Sequence, residues 1–221
     1  MFSSALTDSW SFFKNHLISL SLIILPIVVP LEIITSIYQY TLTSEENSIA
    51  VGLLPISLSI LLYPIYKVAV VFYIASVIEG TRYTIKELYA IGLRYWLPYL
   101  IITFFIGIIV IGGLMFFIIP GIIFIIRYSF TEFELILNQQ KPLDAMRNSW
   151  ESTSEYMSTL FFGYAIITAC LYVPVIIMLL TVEESSTLKY FINTAFNVIY
   201  AVVNTLYTIY TYRIYGFSKE T

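Results

Sequence analysis

The sequence predicts an all-α polytopic membrane protein, a single transmembrane domain over residues 1–221 with six membrane-spanning helices and three amphipathic interfacial helices. Two observations predict this fold class. Of the 221 residues, 59% are hydrophobic and only 11% are charged, whereas a soluble domain is about 25% charged. The mean hydropathy is +0.85. A chain of this composition has too few charged side chains to cover a water-facing surface.

Six apolar stretches are long enough to cross a bilayer, which takes about 20 mostly apolar residues. They are residues 16–38, 52–78, 96–117, 119–138, 158–181 and 189–212. The first is longer than the apolar region of a signal peptide, so we expect an uncleaved span.

Lysine and arginine set the predicted orientation, because cytoplasmic segments are enriched in both. One side of the six predicted spans carries eight of them and the other side carries only Lys189. The eight are Lys14, Arg82, Lys86, Arg94, Lys141, Arg147, Arg213 and Lys219. We therefore expect both termini to be cytoplasmic.

Three segments on the predicted cytoplasmic side combine helical periodicity with mixed polarity, which is typical of helices in the interface plane. They cover residues 3–17, 84–96 and 141–157. Each precedes a hairpin of two spans, which gives three potential repeat units, residues 1–79, 80–140 and 141–221. Two interpretations stay open. The units are parallel repeats about an axis normal to the membrane, or they look alike only because any series of such hairpins looks repetitive.

Five charged residues lie deep in predicted spans, where a charge costs at least about 2.5–3.5 kcal/mol and is normally paired. They are Glu32, Lys67, Arg127, Glu132 and Glu134. Glu32 and Arg127 lie about 10–12 Å from the outer ends of their spans, so we expect them to pair. Lys67 matches Glu132 and Glu134 in depth. Glu134 shares a helical face with Arg127 and is the favoured partner of Lys67.

A polar stripe extends the predicted intramembrane network along the sixth span. Asn193, Asn197 and Asn204 share one face with Thr208. Asparagine amides in lipid need hydrogen-bond partners, so this face should turn inward, and tyrosines near mid-span should be internal donors. The network has two possible roles: it locks the helix register, or it lines a path for a solute, a proton or a lipid headgroup.

Two short motifs resemble those of a known family. IPGII at 119–123 is followed by AMRNSW at 145–150, and FFKNHLISLSLIILP at 12–26 leads into the first span. This pattern resembles the YciC-like family of bacterial inner-membrane proteins, and similar motifs occur in the membrane domain fused to some glycerophosphodiester phosphodiesterases. The matching motif residues are Pro120, Gly121, Ala145, Met146, Arg147 and Ser149. The resemblance implies the bacterial cytoplasmic membrane and no agreed activity.

The remaining features argue against several functional classes. A net charge of −3 without a long basic run does not favour a nucleic-acid partner. The single histidine, His16, and single cysteine, Cys170, allow neither a histidine-clustered metal site nor an intramolecular disulfide. No cofactor motif is present, and Glu132 is the only carboxylate left unpaired by our scheme.

We therefore expect a protein that is not an enzyme. Its expected role is in membrane or envelope organisation or homeostasis. The alternative is a small transporter or lipid-handling protein with a charged intramembrane cavity. The expected partners are the lipid bilayer and, in the alternative, a bound lipid. The sequence leaves the oligomeric state open.

Overall fold

The computed structural model describes residues 2–42, 48–181 and 187–220, and the backbone in these ranges forms ten α-helices and no strand. They are α1 (Phe2–Leu42), α2 (Ser48–Glu79), α3 (Ile85–Arg94), α4 (Trp96–Phe116), α5 (Ile118–Arg127), α6 (Thr131–Ile136), α7 (Pro142–Ser152), α8 (Met157–Thr181), α9 (Thr187–Val203) and α10 (Thr205–Glu220). Side chains are described in these ranges except at 39–42, 48–52, 54, 174, 175, 177–181, 187–193 and 220. The all-α fold class is confirmed for the described chain.

Among the described residues, three helices are long and apolar enough to cross a membrane: Phe2–Tyr38 of α1, Pro55–Glu79 of α2, and α4. A fourth candidate is α7 with the first part of α8, if a pair bent by 99° counts as one span. These apolar helices indicate a membrane protein. The prediction of six spans is not confirmed, and two of those spans are interrupted. Residues 119–138 divide into α5 and α6, and residues 189–212 divide at Asn204.

The first predicted interfacial helix is not a separate element. α1 continues from Phe2 to Leu42 without a break, and Pro26 and Pro30 lie inside it. Its 41 residues measure about 61 Å, twice the roughly 30 Å of a hydrocarbon core. The other two interfacial segments form separate helices, α3 and α7. The three predicted units therefore differ in structure, and the repeat is not confirmed.

The α3 helix begins at a capping box. The Thr84 hydroxyl accepts a hydrogen bond from the Glu87 amide at 3.3 Å, and the Glu87 carboxylate accepts one from the Thr84 amide at 2.7 Å. These two bonds satisfy donors that a helix start leaves free. Two further bonds tie this part of the chain to its neighbours. The Tyr89 hydroxyl donates to the Ile23 carbonyl, and the Trp96 indole donates to the Leu61 carbonyl.

Helices α4 and α5 form a close hairpin that depends on two glycines. A Cβ atom on Gly113 would lie 3.0 Å from the backbone of Gly121, and a Cβ atom on Gly121 would overlap the Leu114 side chain. The reversal itself occurs at Phe117, which has an extended backbone. Pro120 and Gly121 lie in the first turn of α5, where proline costs nothing because its missing amide would be unbonded.

The tip of this hairpin is apolar and open. Met115 and Phe116 are more than 80% exposed, and Phe117, Ile118 and Ile119 are at least 70% exposed. Residues 104–126 contain no side chain that can form a conventional hydrogen bond. Such a tip is unsuited to water and suited to hydrocarbon.

The chain is packed at one end of the bundle and open at the other. Residues Leu20–Ile24 of α1 and Val68–Ile74 of α2 contribute fully buried side chains to the core. Nearer the connection between the two helices, Ile33 and Ile37 of α1 and Ile56 of α2 are exposed. The tightly packed end also contains α6, α7 and much of α10. Tyr210 of α10 is fully buried there.

Candidate functional site

A cluster of polar side chains joins four helices where the packed end meets the open end. The Lys67 ammonium of α2 lies 3.3 Å from the Glu132 carboxylate of α6. Lys67 also donates to the Thr208 hydroxyl of α10, and the Tyr99 hydroxyl of α4 donates to Glu132 at 3.0 Å. Both charged side chains are about 15% exposed. The positive and negative charges therefore balance at this point.

The sequence favoured Glu134 as the partner of Lys67, and that choice is wrong. It assumed that residues 127–134 form one helix, in which Arg127 and Glu134 share a face. The helix ends at Arg127 and a new one begins at Thr131. The intervening turn changes the direction of every later side chain, which brings Glu132 to Lys67.

Glu134 lies instead in a separate and saturated network. Its side chain is 1% exposed and its carboxylate lies 2.9 Å from the Lys219 ammonium. Three neutral groups also donate to it: Asn138 at 2.7 Å, Gln140 at 2.8 Å and Tyr215 at 3.2 Å. A carboxylate with four donors has no free acceptor for a ligand, so this network attaches α10 to α6.

The predicted pair of Glu32 and Arg127 does not form. Glu32 accepts a hydrogen bond from the Asn197 amide of α9 at 3.0 Å. The Arg127 guanidinium lies over the Trp150 ring, 4.7 Å from its centroid, and its Nη1 atom is buried without a hydrogen bond to the described residues. The pair was predicted from depth along the spans alone, and depth does not specify the direction in which a side chain points.

The structure describes two side chains of the asparagine stripe, Asn197 and Asn204, and both line a cavity of the bundle, where Asn197 is exposed. Asn197 binds Glu32, and Asn204 lines the same cavity at the junction of α9 and α10. The side chain of Asn193 lies outside the described residues. Further along this face, Thr208 contacts Lys67. The stripe thus runs from Glu32, which Asn197 contacts, to Lys67, which Thr208 contacts.

Tyrosine hydroxyls attach α8 to the last two helices. Tyr164 pairs with Thr211, Tyr207 with Thr168, and Tyr200 with Tyr172, each at 2.7 Å. These tyrosines therefore form hydrogen bonds between helices, although Tyr172 is exposed and is not an internal group.

Two adjoining cavities occupy the open part of the bundle. The first, which we call the large cavity, has a volume of about 850 Å³ and lies among α1, α2, α4 and α9. Its wall is mainly apolar, but Glu32, Asn197 and Asn204 line it. The second, the small cavity, has a volume of about 380 Å³ and contains Lys67, Glu132 and Thr208.

Three residues line both cavities: Tyr63, Thr103 and Gly107. The Tyr63 ring lies 5.4 Å from that of Tyr66 and 6.2 Å from that of Tyr99. Tyr63 thus lies between the large cavity, which contains Glu32, and the small cavity, which contains Glu132. The outer wall on α4 is exposed, since Phe104 and Ile108 are more than half accessible. The large cavity therefore opens sideways, through the face of the bundle.

None of the motif residues lines either cavity. Ser149 of α7 donates to the Arg127 carbonyl at 2.7 Å and accepts from the Phe130 amide at 3.1 Å. Ala145 and Met146 are buried behind it, and Arg147 forms an exposed pair with Glu151. Together with the Pro120–Gly121 hairpin, the motif supports the break between α5 and α6.

Sequence reasoning missed three contributors to the site. Tyr99, Thr103 and Gly107 lie on α4, whose apolar stretch gives little sign of which face turns inward. A single threonine at 103 in an otherwise apolar run was the available signal. The role of Trp150 beneath Arg127 had no signal, because the two lie 23 positions apart on different helices.

Comparison with known proteins gives one match. The family described as an uncharacterised protein family, UPF0259, matches residues 49–217. No curated protein and no solved structure matches the chain. The expectation of a family without an assigned activity is in agreement with this match.

Proposed function

The chain belongs to the uncharacterised protein family UPF0259, and we propose that it is a non-catalytic membrane protein that binds a lipid in the large cavity. The observation that carries this proposal is the cavity itself. It has a volume of about 850 Å³, opens through the exposed side of α4, and adjoins the small cavity that holds Lys67. Its volume is within the range of ligand sites.

The distribution of polarity along the two cavities suits an amphipathic molecule. Phe104, Phe105 and Ile108 offer apolar contacts on the α4 side. Glu32, Asn197 and Asn204 offer charge and hydrogen bonds on the opposite side. A water-soluble solute would make poor use of the apolar wall, and a pure hydrocarbon would leave the polar groups without partners. This supports the lipid-handling alternative over a bundle whose charges are all paired.

We place this protein in the bacterial cytoplasmic membrane, with six spans and both termini in the cytoplasm. The eight-to-one distribution of lysine and arginine supports the orientation. The packed end, with Lys141 and Lys219, would then face the cytoplasm, and the large cavity would open towards the outer leaflet. The Lys67–Glu132 pair would lie within the membrane. Kinship with the YciC-like proteins and the phosphodiesterase membrane domain is part of this proposal.

We propose a non-catalytic role because the side chains that could act as a general base already have other partners. Glu132 and Glu134 each lie beside a lysine ammonium, so neither is a free general base. His16 shares a hydrogen bond of 2.9 Å with the Tyr73 hydroxyl, and no carboxylate in the described part of the chain orients it into a triad.

Two glycines of α4 provide a matched test of lipid binding. A Cβ atom on Gly107 or on Gly112 would meet no neighbouring atom, and only Gly107 lines the cavities. Gly107→Leu should fill the junction of the cavities without disturbing the fold. Gly112→Leu changes the same helix by the same atoms. We expect native mass spectrometry of the gently solubilised protein to show retained lipid in the wild type and Gly112→Leu, and several-fold less in Gly107→Leu.

Equal lipid retention in both variants would contradict lipid binding in these cavities. It would favour the purely structural role, in membrane or envelope organisation, that the saturated Glu134 network also suits. Thermal unfolding of both variants, expected to match, would establish that a loss of lipid is not a loss of fold.

A further inference from the structure

Among the residues that the structure describes, Glu32 is the only charged side chain on the wall of the large cavity. One oxygen of Glu32 accepts a hydrogen bond from the Asn197 amide at 3.0 Å. This is the only hydrogen bond that the Glu32 side chain forms with the described residues. Neither Arg127, its predicted partner, nor Lys67 pairs with it. The Glu32 carboxylate, which lines the cavity, therefore has unused acceptor capacity.

A carboxylate held in this way is expensive unless a cation joins it. Charged groups within a bilayer normally lie in the interior and pair, and one neutral amide does not balance a full negative charge. Glu134 of the same chain shows the contrast, since a lysine and three neutral donors satisfy it. The cavity wall thus offers a negative charge whose missing counterpart is a positive charge.

The neighbouring side chains suit a positively charged group of small size. Tyr63, Tyr66 and Tyr200 line the cavity beside Glu32, and the faces of aromatic rings attract ammonium groups. The amide oxygens of Asn197 and Asn204 can accept further N–H donors. An anionic headgroup would meet repulsion from Glu32 and would find no cation among the described residues of this wall.

Building on the proposed lipid site, we propose that the bound lipid carries an ammonium headgroup, which Glu32 recognises. The ammonium lies against the Glu32 carboxylate and the tyrosine faces, while the acyl chains leave the cavity over the exposed side of α4. The rule of selection is charge complementarity: a zwitterionic lipid with an ammonium is accepted and an anionic lipid is not.

Two lipids with the same phosphodiester and different ends test this selection. Phosphatidylethanolamine has an ammonium where phosphatidylglycerol has a neutral diol. Delipidated full-length protein would be titrated with each by native mass spectrometry. We expect phosphatidylethanolamine to bind at least about ten-fold more tightly, the effect of one hydrogen bond to a charged group. Glu32→Gln should remove this preference by lowering the affinity for phosphatidylethanolamine.

The matched control is Asp8→Asn, which removes an exposed carboxylate from the same helix outside the cavity. It should keep the ten-fold preference. Equal affinity of the wild type for the two lipids would overturn the inference, and this comparison needs no variant to fold. Retention of the preference in Glu32→Gln would overturn it as well.

The two proposals fail differently. If both lipids bind equally and Gly107→Leu weakens both, the lipid site stands and the role of Glu32 falls. If Gly107→Leu weakens neither, the site itself is misplaced and both proposals fall.

Discussion

The hydroxyl of Ser149 connects the two sides of a helix break, because it donates to the Arg127 carbonyl at 2.7 Å and accepts from the Phe130 amide at 3.1 Å. These are backbone groups that the end of α5 leaves without helical partners. Ser149 is fully buried, so water cannot replace it.

Ser149→Ala should therefore destabilise the protein. It leaves a buried carbonyl and a buried amide with fewer partners, at a cost of about 1–3 kcal/mol. Thermal unfolding in detergent would measure the loss. Ser154→Ala is the control, since Ser154 is exposed and its hydroxyl bonds only to the Glu151 carbonyl nearby. Similar unfolding temperatures for the two variants would refute the bridging role.

Removing one member of the Lys67–Glu132 pair should cost more than removing both. Lys67→Met leaves the Glu132 carboxylate with Tyr99 as its remaining donor, and an uncompensated buried charge costs about 3 kcal/mol or more. In Lys67→Met combined with Glu132→Leu, the second change should recover part of that loss. A double-mutant cycle on unfolding free energies measures the coupling, and a coupling near zero would show that the pair contributes nothing.

The glycine contact of the α4–α5 hairpin should be sensitive to a single methyl group. Gly121→Ala forces Leu114 or the backbone to shift, with an expected cost of about 1–3 kcal/mol. Gly112→Ala, one position before Gly113 on the same helix, meets open space and should be neutral or slightly stabilising because alanine favours helix. Unfolding temperatures that move together would contradict the packing argument.

The start of α3 should depend on pH through Glu87. The hydrogen bonds from Thr84 lower the pKa of the Glu87 carboxyl below its ordinary value of 4.5. Since the folded pKa is the lower one, this contribution is present above pH 4.5 and is lost as the pH falls through the folded pKa.

Hydrogen exchange of the α3 amides, corrected for its intrinsic pH dependence, would measure this effect. Protection near Glu87 should fall on acidification in the wild type. In Glu87→Gln it should vary much less over the same range, because the glutamine does not titrate. An identical pH profile in the two proteins would rule out the carboxylate as the titrating group.

Periodicity and composition were sufficient to predict the helical class and the α3 and α7 helices. They were insufficient where a helix breaks. Nothing local marks Arg127 as the end of α5, because the residues that stabilise the break, Ser149 and Thr153, come more than 20 positions later. Lys67 was predicted to pair with a glutamate of this segment, and it does. The choice between Glu132 and Glu134 depended on that unpredicted turn.

The apolar tip of the α4–α5 hairpin has a consequence for how the protein reaches its membrane. A conventional pair of spans must move a hydrophilic loop through hydrocarbon during insertion. Residues 104–126 carry no polar side chain, so this hairpin can enter the bilayer as one preformed unit, and only backbone groups need shielding. Biogenesis of this segment would then require lipid access at the insertion machinery and no export of a loop.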